Sequence, residues 1–193
     1  MKIAIVKYNA GNIRSVAFAL ERLNVDFSIT DSTEELRSAD KVIFPGVGEA
    51  SSTMKYLKDH KLDDVIRDLK QPVLGICLGM QLMCKHSEEN DTACLGIFDE
   101  TVKLFKGENL KVPHMGWNSL EKTRDWIPLS IENKYVYFVH SYYVPVTSYT
   151  VAETNYEVPF SAALRKDNFY AAQFHPEKSA EAGVLVLQSF LNI

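Results

Sequence analysis

A chain of 193 residues, 46% hydrophobic and 24% charged, is long enough to bury a core of its own and has the composition of a globular protein. The formal net charge is −4 and the lysines and arginines are scattered, so the electrostatic footprint of a nucleic-acid or anionic-membrane binder is missing. The longest apolar-rich window, VLGICLGMQLMC, falls short of the roughly 20 residues of a bilayer span and contains Gln81. The opening MKIAIVKY has too short an apolar run for an export signal. Cys77, Cys84 and Cys94 are an odd set without CxxC spacing, which argues against a disulfide framework or structural zinc and for a reducing cytosol.

In chain order, the apolar runs IAIV (3–6), VDFSI (25–29), KVIF (41–44) and VLGI (73–76) read as strands buried on both faces. Between the first two, Ile13, Val16, Ala17, Leu20 and Leu23 follow helical spacing, with Gly11 and Asn12 at the start, which makes a βαβ unit. Leu57, Leu62, Val65, Ile66 and Leu69 add helical character before Pro72. The expected architecture is therefore α/β, a mainly parallel central sheet flanked by helices.

The second half has a different texture. YVYFVHSYYVP (135–145), SYTVAET (148–154) and FYAAQF (169–174) read as closely spaced, antiparallel or mixed strands sharing that sheet system. SAEAGVLVLQSFLNI closes the chain as a helix with Ser179 as its expected cap. No linker or repeat divides residues 1–193, so one domain is expected.

Three segments carry chemistry. In GICLGMQ (75–81) a cysteine stands between two glycines just after a strand, the pattern that turns a nucleophile outward at a strand–helix elbow. A helix starting at Leu78 would set the sulfur over its N-terminus, where the dipole favours a thiolate. The alternative is a buried hydrophobic cysteine; Cys84 and Cys94 lack the elbow context, and burial is the expectation for Cys84, placed on the following helix. QFHPEKS (173–179) supplies a base and an orienting acid: a period of two puts Gln173, His175 and Glu177 on one face, where carboxylate and imidazole can meet. A structural His–Glu pair is the competing reading, and His140 is the rival base. In IFPGVGEA (43–50) a buried strand breaks into two glycines, so the N–H groups of Val47 and Gly48, with that of Leu78, are candidates for an oxyanion hole. A phosphate loop is the rival there, but the Walker lysine is missing. No histidine pair has ligand spacing, so neither metal nor cofactor is expected.

Taken together, PGVG, GICLGMQ and HPEKS resemble the class I (triad) glutamine amidotransferases over almost the whole chain. Within that family YNAGNIRSV (8–16), SEE (87–89), LGIF (95–98), PHMGWN (113–118) and YFVHSYY (137–143) resemble the branch of glutaminase subunits of imidazole glycerol phosphate synthases. The resemblance implies hydrolysis of L-glutamine to L-glutamate and delivery of ammonia to a separate cyclase subunit of TIM-barrel fold, in a 1:1 heterodimer of histidine biosynthesis in the cytoplasm. It makes Cys77 the nucleophile, His175 the general acid/base and Glu177 its orienter. It places Gly46, Gln81, Glu89, Ser141 and Tyr142 around the glutamine, and Asn12, Trp117, Tyr137 and Lys178 near the cyclase. Relatives commonly carry an acidic residue and a glycine where this chain has Lys7 and Asn9. A glutaminase serving another synthase, or a cysteine-elbow hydrolase or chaperone of the intracellular-protease-like superfamily, are the alternatives; the latter lack the HPE segment.

Overall fold

The computed structural model describes residues 1–8, 12–108 and 110–193. Asn9 and Gly11 of the YNAGN stretch thus lie outside the described residues. The first half alternates strand and helix: β1 (Ile3–Val6), α1 (Ile13–Arg22), β2 (Phe27–Thr30), α2 (Thr33–Ser38), β3 (Lys41–Phe44), α3 (Ala50–Asp59), α4 (Leu62–Asp68), β4 (Val73–Ile76) and α5 (Leu78–Met83). The strands β5 (Cys84–Ser87), β6 (Thr92–Ala93), β7 (Phe98–Leu104), β8 (His114–Ser119), β9 (Tyr135–His140), β10 (Tyr142–Tyr143), β11 (Thr150–Tyr156), β12 (Val158–Lys166) and β13 (Phe169–Ala172) follow, and α6 (Ala180–Leu191) ends the chain.

The central sheet has seven strands in the order β11-β12-β13-β4-β3-β1-β2. From β2 to β13 the pairs are parallel, and β12 and β11 add an antiparallel extension. The apolar runs of β1, β3 and β4 are buried throughout, because alternate residues feed two cores: Ile3, Ile5 and Ile43 face one side with α1 and α6, Ala4, Val6, Val42 and Phe44 the other with α2, α3 and α4. β2 is an edge strand, and its outer residues are correspondingly less buried. At about 25 cal/mol per Å² of apolar area, this two-sided burial dominates the stability.

The second half departs from the expected single sheet system. β11 and β13 do join the central sheet, with β12, which none of the expected runs covers, between them; β10, β7, β5 and β6 form a separate four-stranded sheet, and β8 and β9 a two-stranded ribbon. The run 135–145 is not one strand: it breaks at Ser141, whose carbonyl accepts from Phe105 N–H (3.0 Å), so β9 and β10 belong to different sheets. Cys84 opens β5 rather than lying on the helix after the elbow, which ends at Met83. Ser179 precedes α6 as expected but makes no capping bond; its hydroxyl accepts from Tyr137 N–H (2.9 Å) and donates to His175 C=O (2.7 Å), clamping the HPE segment to β9.

Candidate active site

The sheet order explains how three distant segments meet. β4 lies between β3 and β13, all parallel, with Phe44 opposite Gly75 and Ala172 opposite Ile76. The residues that follow them, Pro45–Gly48, Cys77 and Gln173–Glu177, therefore leave the same edge of the sheet side by side. The carboxyl ends of parallel strands are where open α/β sheets place their ligands.

Cys77 sits between β4 and α5 with φ 54° and ψ −109°, a conformation L-residues rarely adopt. The flanking glycines serve a purpose beyond turning. A Cβ on Gly79 would lie 2.0 Å from Phe44 O, and one on Gly46 2.6 Å from Gly79 N. Helix α5 is thus pressed against the end of β3, and the crowding holds the elbow in its strained form.

His175 and Glu177 meet as expected, Nδ1 to Oε1 at 2.8 Å, with both side chains sealed from solvent. The route differs from a period of two: β13 stops at Ala172, and Pro176–Lys178 form a 3-10 turn that swings the carboxylate under the ring. Asn12 completes the cluster, its Nδ2 donating to the same Glu177 oxygen and lying 3.3 Å from His175 Nδ1. The other ring nitrogen, Nε2, is buried with no partner of hydrogen-bond geometry among the described residues. Burial works against charge on this imidazole, but Cys77 and Glu177 outweigh it and raise the ring to about 10. His175 therefore stands ready as a proton donor beside the sulfur.

A cavity of about 310 Å³ opens over Cys77, at the small end of ligand sites. Val47, Gly48, Leu78, Gln81, Glu89, Ser141 and Tyr142 line it, all expected at the site from sequence; His140, named there only as a rival base, also lines it, as do Pro113 and Val139, which were not singled out. Gly46 lies behind the wall, against Leu78, Gly79 and Tyr8. Glu89 accepts the first N–H of α3, from Ala50 (2.8 Å), and burial raises its pKa against that bond. Gln81 Nε2 donates to Tyr142 C=O (2.9 Å) and to Gln173 Oε1 (3.0 Å).

Of the oxyanion candidates, Val47 and Gly48 N–H have no acceptor among the described residues. Leu78 N–H donates to Gly46 C=O at 3.3 Å, so in this conformation that donor is engaged and must be released before it can serve an oxyanion. Gly48 has φ 124° and an open surrounding.

The rival base is accounted for differently. His140 is buried, its Nδ1 2.7 Å from Tyr142 C=O and its Nε2 3.1 Å from His114 Nδ1. The carbonyl only accepts, so His140 carries its proton on Nδ1 and accepts from His114. Burial lowers His140 to about 3 and His114 to about 4, which keeps both neutral. Cys84 is buried as expected, and burial pushes its thiol far up; Cys94 is only half-buried, and partial desolvation raises it to about 12.

Among the residues expected at a partner surface, Trp117 is 52% exposed and meets the Tyr137 ring edge-on at 6.0 Å, with Lys178 Nζ over that ring. Asn12 points inward instead, 7% exposed, because its amide is committed to Glu177. Lys7 pairs with Asp31 at the surface. No helix among the described residues is long and apolar enough to cross a membrane.

Comparison with known proteins gives concordant results. The family model described as glutamine amidotransferase class-I matches residues 4–192. The chain is 61% identical, over all of both sequences, to a protein of Bacteroides thetaiotaomicron named imidazole glycerol phosphate synthase subunit HisH, and 45% identical to the subunit of the same name from Idiomarina loihiensis, over 100% of this chain and 98% of that one. Among solved structures, a putative GMP synthase protein from Thermoplasma acidophilum superposes with a TM-score of 0.76 at 21% identity, covering 100% of this chain and 92% of that one. PurLQS of Thermotoga maritima gives 0.71 at 16%, covering 99% of this chain and 97% of that one; both likenesses bear on fold alone. With a cysteine held at a strand–helix elbow, a buried His–Glu pair beside it and a family match that runs nearly end to end, the chain belongs to the class-I glutamine amidotransferases.

Proposed function

We propose that residues 1–193 act as one domain, the glutaminase subunit of an imidazole glycerol phosphate synthase, hydrolysing L-glutamine at Cys77 and passing ammonia to a cyclase partner. The observation that carries the assignment to this synthase is the identity with its subunits across their whole length. The elbow and the cavity over it supply the chemistry.

In this reading glutamine lies in the cavity with its side-chain amide over the sulfur. The Cys77 thiolate attacks the amide carbon, and the oxygen takes up negative charge facing the N–H groups of Val47, Gly48 and Leu78. His175 gives its Nε2 proton to the departing nitrogen, and ammonia leaves a γ-glutamyl thioester. Water then attacks the thioester, His175 taking its proton, and glutamate departs as the thiolate returns. Glu177, held by Asn12, fixes the imidazole orientation and balances its charge in both steps. Gln81 and Glu89 receive the substrate's ammonium group.

Ammonia released into bulk water is protonated and loses its nucleophilicity, so the site should open onto the partner. The Trp117–Tyr137–Lys178 patch is the proposed docking face for a cyclase of TIM-barrel fold in a 1:1 complex, in the cytoplasm; Tyr137 C=O accepts from His175 N–H (2.9 Å), which ties that face to the site. The engaged Leu78 N–H favours low turnover in the isolated chain, with activation when the partner and its ribulosyl nucleotide bind. The test is a glutaminase assay on the chain alone and with the cyclase. Low activity alone and strong stimulation by the liganded partner are expected; full activity without partner removes the switch, and none under any condition removes the assignment.

A further inference from the structure

Gln173 is fully buried just beyond β13, its N–H continuing the ladder to Ala162 C=O (2.8 Å). A fully buried glutamine side chain needs hydrogen-bond partners at both its carbonyl and its NH2, and it finds one for each in the active site. Its Oε1 accepts from Gln81, and its Nε2 points at Cys77 Sγ at 3.8 Å.

The direction of these bonds follows from one backbone group. Tyr142 C=O only accepts, so Gln81 must turn its NH2 toward it. The second hydrogen of that NH2 goes to Gln173, which must present its carbonyl. Gln173 is left with its own NH2 facing the sulfur. The same logic uses up the Gln81 nitrogen and leaves Gln81 Oε1 without a protein donor among the described residues, at the wall of the cavity. His140 Nδ1, on the same carbonyl, holds the starting point of the chain in place.

We propose that Gln173 is a positioning residue of the nucleophile: its amide N–H donates to the Cys77 thiolate, while its carbonyl locks Gln81 with the oxygen turned toward the substrate's ammonium group. This deepens the glutaminase reading and rests on it for the identity of the substrate. A distance of 3.8 Å is long for a bond to a neutral thiol, and bonds of this kind shorten when the acceptor gains charge. Gln173 thereby couples two events, sulfur ionisation and recognition of the amino acid, through one side chain with no solvent access.

The test uses the full chain with Gln173→Glu and Gln173→Met. The first still accepts from Gln81 but offers no donor and sets a second negative charge beside the sulfur. The second keeps length and volume and removes both bonds. Folding of each is checked by thermal melting. The probe is iodoacetamide, with alkylation of Cys77 followed by peptide mass spectrometry across pH, so the readout needs neither glutamine nor the partner. Loss of a hydrogen bond to a charged group predicts alkylation at neutral pH about 10-fold slower or more in both variants, with the midpoint displaced upward, furthest in Gln173→Glu. In glutamine turnover, Gln173→Met raises KM as well as lowering kcat, because Gln81 is released. Unchanged alkylation profiles in folded variants overturn the inference even if the native chain hydrolyses glutamine. Displaced profiles in a chain that never hydrolyses glutamine, with or without cyclase, uphold it for the nucleophile and overturn the substrate reading instead.

Discussion

The strained backbone at Cys77 makes a prediction with an unusual sign. Replacing Cys77 by alanine or by glycine removes the sulfur equally, so whatever the buried thiol contributes cancels between the two variants. They differ in the Cβ. With φ 54° and ψ −109° the alanine variant keeps a conformation that costs a non-glycine residue about 1–3 kcal/mol. Glycine escapes that cost but loses about 0.5–1 kcal/mol more conformational entropy on folding. The balance puts Cys77→Gly above Cys77→Ala by about 1 kcal/mol, or about 2–4 °C in Tm for a chain of this size. At an ordinary helical position the order is reversed. Lys55, exposed in the middle of α3, provides the control: there alanine should exceed glycine by about 1 kcal/mol. The assay is thermal and urea unfolding of the four variants, with glutaminase activity absent from both Cys77 replacements. A Cys77→Ala protein as stable as Cys77→Gly, or more so, would refute the claim that the elbow stores strain.

Three further predictions follow from other parts of the site. The neutral His140–His114 pair binds no protons in the folded state until about pH 3 to 4, whereas the unfolded chain takes them up near 6.5, so stability should fall as pH drops below 6.5. Between pH 6.5 and 5 the loss amounts to about 2 kcal/mol for His140 and slightly less for His114, whose folded value lies nearer the window; His175, raised to about 10, contributes its share on the alkaline side and changes little here. Urea midpoints that stay flat over that window would contradict the neutral pair. Gly79→Ala should unfold the elbow or destabilise it by about 3 kcal/mol, since its Cβ meets Phe44 O, whereas Gly48→Ala, with open space but φ 124°, should keep the melting temperature within a few degrees and lose glutaminase activity; equal effects on stability would contradict the distinction. Asn12→Ala, which frees Glu177, should lower kcat about 10-fold or more with little change in KM for glutamine, and an unaltered kcat would show that the Asn12–Glu177 bond has no positioning role.

The parallel half of the fold was readable because β1, β3 and β4 are short apolar runs between turn residues, with an amphipathic helix after the first. The cysteine elbow was readable for the same reason: Gly75, Cys77 and Gly79 follow a buried run directly. The strands β5, β7 and β8 escaped notice because their half-exposed sequences CKHS, FDETVKL and HMGWNS lack both a continuous apolar run and a regular alternation. Ser179 illustrates a different limit. Its position before a helix matched a cap, yet a tertiary bond from Tyr137 and a local one back to His175 claimed the hydroxyl. Asn12, expected near the partner, is also held inward by a carboxylate 165 positions away, a contact no local pattern encodes. Gln173 was placed on the face of His175 by alternation, but its role depends on a carbonyl at Tyr142, in another sheet. What alternation and spacing supply is the local path of the chain; the donor and acceptor pairings arise only when strand ends assemble.

The most direct measurement is mass spectrometry of the chain quenched with acid during turnover of glutamine in the presence of the cyclase. A γ-glutamyl adduct on the peptide containing Cys77, absent from those of Cys84 and Cys94 and absent altogether in Cys77→Ala, is the expected result. Glutamine hydrolysis that persists in Cys77→Ala, or an adduct on either other cysteine, would contradict the account.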